Sequence, residues 1–247
     1  MFSNLSGFLI VLFCLEGSFA SVASFAFAAK PLRMATFPIP LMVESDTKGV
    51  FISLTREIAK RGHVEVQIEV SPTAKTLLDF STDKVDAFFP ALDVYTPKNT
   101  SRTSAFYTKV DFVFSRKDKD LKTMKDLEGK KVGLTFRYPY AKELTQNKKI
   151  DFEFADDDVS NMNKLASGAI DAFVVEERSG LQALTLSGKT NIHYSKGKPL
   201  SKQEVFYAFQ DDEDGRGMVE IFNRAIEAMR KDGTFDRLMN PAPATTH

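Results

Sequence analysis

Arg137, Tyr138 and Tyr140 come soon after the apolar run Val132-Gly133-Leu134, past Thr135 and Phe136, in the segment DLEGKKVGLTFRYPY, residues 126–140. Chain leaving a buried strand usually turns small and polar. Here it turns large, flat and cationic. A guanidinium at such a place can grip a carboxylate through paired, charge-assisted hydrogen bonds. Tyr138 and Tyr140 can stack on a flat body or close the mouth of a site. The bland alternative is that Arg137 pairs with Glu143 or another acid and only latches two parts of the chain. Glu176 raises the same question with the opposite sign, because it ends a run of five largely apolar residues and precedes Arg178. A carboxylate there is either a ligand group or half of a structural ion pair with Arg178 or a neighbour.

In open α/β sheets ligands collect beyond the carboxyl ends of the strands. That rule points to the chain after residues 37, 92, 136 and 176. The candidates there are Phe37, an aromatic platform or a packing residue, and Pro90 and Asp93 around the end of VDAFFPAL (85–92). Thr135 joins Arg137 at the third end. Lys75 opens the helix after VSP and points either at the same cleft or into solvent.

Catalytic constellations are not evident. His63, His193 and His247 are the three histidines, and no Ser-His-Asp order, HExxH or phosphate loop occurs. Neither a cofactor nor a metal is expected. The chain has 247 residues, 43% hydrophobic and 27% charged, with 33 basic residues against 33 acidic ones. That balance argues against nucleic acid and against anionic lipid as partners. Residues 1–28 hold no Lys or Arg and one acid, Glu16. Phe8 to Leu15 is an apolar run too short for a bilayer core of about 30 Å, and Ala26-Phe27-Ala28 reads as a cleavage site. A secretory signal over 1–28 is expected, with an uncleaved apolar anchor as the alternative. Cys14, the single cysteine, follows Phe13 rather than the small residue a lipoprotein signal needs.

The elements that must position these groups alternate. A strand is expected over 33–37, a helix from Val50 to Arg61, and an alternating strand VEVQIEV over 64–70. A helix over 73–80 capped by Ser71 follows, then the buried strand 85–92 and a long polar loop, Asp93 to Ser104. This β-α-β-α-β order implies a parallel sheet with helical crossovers. After a strand at 110–115, the charged stretch 116–130 is expected to wrap an edge. The pattern then restarts: strands at 131–136, 150–155, 169–176, 191–195 and 204–210, with helices after Tyr140, at 159–167 and at 180–186. A final helix carries Val219, Phe222, Ile226 and Met229 on one face and stops at Gly233. DKVDAFFPAL (83–92) and GAIDAFVVEE (168–177) echo each other, which implies two halves of similar plan.

Four stretches in order resemble the periplasmic solute-binding proteins of polar amino-acid ABC transporters: GVFISLTREIAKRG (49–62), DAFFPALDVYTPKNTSR (86–102), DLEGKKVGL (126–134) and LASGAIDAFVVEE (165–177). The resemblance implies the type II periplasmic binding protein fold, two α/β lobes, each a mainly parallel sheet flanked by helices, with a cleft between them. It implies crossings near Ser115 and Lys202, with 29–114 plus 205–247 as the first lobe and 115–204 as the second. It further implies an arginine of the first lobe on a ligand carboxylate and an acid of the second on its ammonium. Glu176 matches the acid. The family's spacing from Thr96 lands on Asn99 instead of an arginine, while Arg102 lies three residues on and either takes the role or faces solvent. The family's Gly and small hydroxyl residues after the second-lobe strand are replaced here by Arg137, Tyr138 and Pro139. Pro139 has no N–H to donate.

The leading expectation is a monomeric periplasmic protein that closes around a small polar solute and meets an ABC permease or a membrane sensor. The alternatives are an enzyme on the same fold, of the cyclohexadienyl dehydratase kind, and an interaction domain with a degenerate cleft.

Overall fold

The computed structural model describes residues 30–240. The expected signal and Cys14 lie outside the described residues.

The first part of the chain runs β1 (Leu32–Thr36), α1 (Val50–Arg61), β2 (Val66–Val70), α2 (Thr73–Ser81), β3 (Ala87–Ala91), β4 (Thr100–Arg102) and β5 (Tyr107–Arg116). Then come β6 (Lys131–Thr135), α3 (Lys142–Thr145), β7 (Asp151–Ala155), α4 (Asp158–Ser167), β8 (Ala172–Glu176), α5 (Glu177–Ser187) and β9 (Ile192–Tyr194). The described residues end with β10 (Ser201–Gln210), α6 (Glu213–Lys231) and α7 (Thr234–Met239).

Strand pairing follows the path β2-β1-β3-β10-β5-β8-β6-β7, with β4 on β10 and β9 on β5. β1 pairs in parallel with β2 and β3, and β6 in parallel with β7 and β8. Each parallel group gains one antiparallel strand, β10 beside β3 and β5 beside β8. The two groups meet where Tyr107–Asp111 of β5 pair with Val205–Ser201 of β10. Past that segment the two strands part. Asp111–Ser115 pair with Glu176–Ala172 of β8, and Phe206–Phe209 pair with Ala91–Ala87 of β3.

Both sheet groups are covered on two faces, which is why β3 and β8 are buried at every position. In the first lobe, Met34, Ile52, Leu54, Phe89, Tyr207 and Phe222 fill one face under α1 and α6, and Phe80, Val85 and Phe88 fill the other under α2. In the second lobe, Phe114, Met162, Leu165 and Phe173 lie under α4 and α5, while Val132, Leu134, Leu144 and Val174 fill the far face. The charged stretch 116–130 does wrap this second lobe. It carries a 3-10 turn at Lys125–Leu127, with Leu127 buried and Leu121 and Met124 against the same core.

Local departures have local causes. Ser71 does not cap α2; Pro72 holds that position, and the Ser71 hydroxyl bonds instead to Thr76 Oγ1 at 3.0 Å. The expected loop 93–104 contains β4, whose Thr100–Arg102 find open partners on β10. The helix expected from Tyr140 is a single turn starting at Lys142, because Tyr140 turns its ring inward. Gly233 does end α6, with φ 76°, but the chain then enters α7 rather than leaving the fold.

That turn is tied to α1. Arg61 donates to Asp232 Oδ2 at 2.6 Å, and Asp232 Oδ1 accepts the Thr234 N–H at 2.9 Å. The Thr234 amide first, and Arg61 next, lower the Asp232 carboxyl from 3.8 to about 2. A depressed acid contributes stability above its unfolded value and loses it as pH falls through the folded value. Urea titrations against pH should therefore show Asp232→Asn flattening the loss of stability between pH 3.8 and about 2, with little acid-specific change elsewhere.

Candidate functional site

A cavity of about 320 Å³ opens between the lobes. Phe37, Met42, Phe51, Pro90 and Leu92 line it from the first lobe, and Phe136, Arg137, Tyr138, Glu176 and Ser179 from the second. Tyr107, Lys109 and Val205 reach it from the crossing strands. Its size is at the lower end for small-molecule sites, and its walls are mostly apolar with a few convergent polar groups.

Glu176 is the last residue of β8 and the N-cap of α5, and it is buried. Its Oε2 accepts the Ser179 N–H at 3.0 Å, and its Oε1 accepts the Tyr107 hydroxyl at 2.6 Å. The helix start and the Tyr107 phenol thus supply a donor to each oxygen of this buried side chain. Gly180, one turn on, lets α5 sit close: a Cβ there would stand 2.5 Å from the Phe114 ring and 2.7 Å from Val175. Arg178 is not the partner of Glu176. It donates to Met239 O at 2.7 Å and Asn240 Oδ1 at 3.0 Å, and its guanidinium lies 5.6 Å from the Tyr107 ring centre.

Burial, with Glu176 beside it, pushes the Tyr107 phenol well above its ordinary range, so it stays a donor. Tyr138 behaves alike: burial and then Asp158 push it up, and it donates to Asp158 Oδ2 at 3.1 Å. Both hydroxyls are therefore engaged by carboxylates. Asp158, buried at the start of α4, has its own carboxyl raised by burial, against donation from Thr135 at 2.5 Å and from Tyr138.

Arg137 has φ 66°, a left-handed backbone that a side chain with Cβ adopts at a cost. It is exposed at the rim, and among the described residues it makes no hydrogen bond or ion pair, with Glu143 or with any other acid. Gln203 of β10 fixes the turn from below by donating to Pro139 O at 3.1 Å.

The fold brings Phe37, Pro90, Arg137, Tyr138 and Glu176 into one cavity. The remaining candidates sit elsewhere. Lys75 is exposed on α2 and pairs with Glu69 at 2.7 Å and with Asp79. Arg102 pairs with Asp93 and lies over the Phe206 ring, outside the cavity. Asp93 borders a separate polar crevice of about 460 Å³ that also holds Lys142, Glu143 and Lys202. Asn99 is exposed. Thr135 and Tyr140 are buried behind the cavity wall, where the Tyr140 hydroxyl accepts the Thr135 N–H at 2.8 Å. Among the described residues no cluster of three His, Cys, Asp or Glu is placed to hold a metal, and no helix is long and apolar enough to cross a membrane.

Residues 33–241 match the family described as bacterial extracellular solute-binding proteins, family 3. The chain belongs to this family. As a solute-binding protein it is similar to the L-cystine-binding protein TcyJ of Escherichia coli K12, 28% identical over 77% of this chain and 72% of the relative. It is also similar to the histidine-binding periplasmic protein of Escherichia coli K12, 26% identical over 88% of this chain and 90% of the relative. Solved structures share the fold. The GluR0 ligand-binding core of Nostoc punctiforme in complex with L-glutamate gives a TM-score of 0.69 at 21% identity, over 84% of this chain and 97% of that one. A histidine kinase sensor domain with similarity to periplasmic binding proteins gives 0.70 at 18% identity, over 85% of this chain and 94% of that one.

Sequence reading missed Tyr107, Lys109 and Ser179. It began the fifth strand at Val110, which left Tyr107 and Lys109 outside any element. The signal was present: Tyr107, Lys109 and Asp111 alternate, so they share one face of the strand.

Two outcomes follow from this geometry. Tyr107→Phe leaves one oxygen of Glu176 without its donor and should lower stability by about 1–3 kcal/mol in urea unfolding. Arg137→Gly should raise it by up to about 1 kcal/mol, because glycine takes the left-handed turn freely.

Proposed function

We propose that this solute-binding protein captures a small amino-acid-like solute outside the cytoplasm, in the cavity that holds Glu176, and closes its lobes around it. The observation that carries the reading is a buried carboxylate, capped by a helix start and a phenol, on the wall of a cavity built by both lobes. Glu176 receives the solute's ammonium, while Phe37, Phe51 and Tyr138 enclose its apolar body. Closure expels water, which strengthens the charged contacts inside. The lobes divide at the crossing: residues 30–106 and 206–240 form one, and residues 112–200 the other. The two strands between them bend as the hinge.

The named relatives bind cystine and histidine, which supports an amino-acid-like solute. The closed form then meets an ABC permease or a membrane sensor. Residues 1–28, read as a signal, and the periplasmic naming of the histidine-binding relative support a periplasmic location. A binding role rather than turnover fits a site whose two phenols are both held by carboxylates. The protein acts as a monomer, since each chain carries both jaws.

A thermal-shift screen of amino acids, polyamines and organic acids tests this. A ligand at a hundred times its Kd should stabilise the protein by about 2.7 kcal/mol, and Glu176→Gln should abolish the shift. A flat screen would leave the interaction-domain reading, and chemical conversion of the hit would leave the enzyme reading.

A further inference from the structure

A solute with an ammonium at Glu176 and a carboxylate of its own needs a second receptor, and the arginine expected from the first lobe is not there. Arg102 is held by Asp93 outside the cavity, Asn99 is exposed, and Pro90 and Pro139 offer no N–H. Two cations remain on the cavity wall. Arg137 stands exposed at the rim. Lys109 stands inside: its residue is 9% exposed, and its ammonium lies 5.5 Å from the centre of the Tyr140 ring.

Lys109 is tied to Asp111, two residues on along the same face of β5. Asp111 is fully buried, and its Oδ2 accepts the Ser201 hydroxyl at 2.8 Å. An ammonium carries three donors. Among the described residues Asp111 is its only acceptor, so two donors are left free for a ligand's acceptors. A buried ion pair rarely stabilises a fold more than apolar side chains of the same size would. A lysine under a cavity, with donors to spare, is thus placed to meet a ligand's acceptors.

Building on the reading above, we propose that Lys109 receives the anionic group of the solute, so that the carboxylate is held from the hinge strand instead of from a first-lobe loop. Asp111 and the Tyr140 face orient the ammonium, and Arg137 adds positive charge at the exposed rim. Lys109 and Arg137 balance Asp111 and Glu176, so the site suits a net-neutral zwitterion better than a diamine or a dicarboxylate. Because Lys109 sits where β5 leaves β10 for β8, the same contact ties ligand to hinge.

Titration calorimetry on the full mature chain tests the proposal with apolar and aromatic L-amino acids and their methyl esters. The wild type should prefer the free acid over its ester by about tenfold or more, as loss of a charge-assisted bond requires. Lys109→Met strands a buried carboxylate, so the deciding variant is Lys109→Met with Asp111→Asn, which keeps a partner for Ser201. Folded by circular dichroism, it should bind acid and ester alike. A preference retained in the double variant, or a wild type indifferent to esterification, overturns the role of Lys109 and leaves the solute site standing. If no probe binds while the wider thermal-shift screen finds another ligand, this proposal fails and the solute site stands; if both are blank, the solute reading fails with it.

Discussion

β5 and β10 pair with each other over only half of their length. Each then gives its backbone hydrogen bonds to a different sheet, β5 to β8 and β10 to β3. Backbone donors and acceptors buried in a core need partners, so the hand-over is forced once two sheets share two strands. It joins the lobes through two short extended segments and no helix. It also aims the side chains of those segments into the gap, which is why Tyr107, Lys109 and Val205 belong to the cavity wall.

The chemistry of the gap rests on how charge is kept there. Glu176 is buried yet answered on both oxygens, by a helix-start amide and a phenol. Lys109 is answered once, by Asp111. Around them the walls are rings and aliphatic groups, where an added charge interacts strongly and an unpaired one costs heavily. A solute that brings matching charges gains twice, from contact and from the water it displaces. The Arg178 bonds to the end of α7 add a second tie between the lobes, next to the ring of Tyr107.

Much of the fold was legible in the sequence because its elements obey simple periods. VEVQIEV alternates and forms β2, and the α6 face with Phe222, Ile226 and Met229 is buried as its spacing required. The return of β10 and α6 to the first lobe was legible only through the family resemblance, since no local pattern says which sheet a strand joins. Within the cavity, Phe37, Pro90, Arg137, Tyr138 and Glu176 were reachable because they stand at or near strand ends. Lys75 and Arg102 were named for their charge, but nearby acids, Asp79 and Asp93, claim them. Lys109 was hidden because a lysine inside a strand reads as an edge or a surface. Only the tertiary crossing turns that face inward.

Spin labels on the lobes report most directly on whether a solute closes this gap. Residues 29–247 contain no cysteine, so Lys98→Cys and Lys148→Cys place one exposed label on each lobe. On saturation with a bound amino acid, the distance distribution between them should shift and narrow, and Glu176→Gln should prevent the change. Binding that leaves the distribution unaltered, or a shift that survives in Glu176→Gln, would contradict a clamp built on that carboxylate.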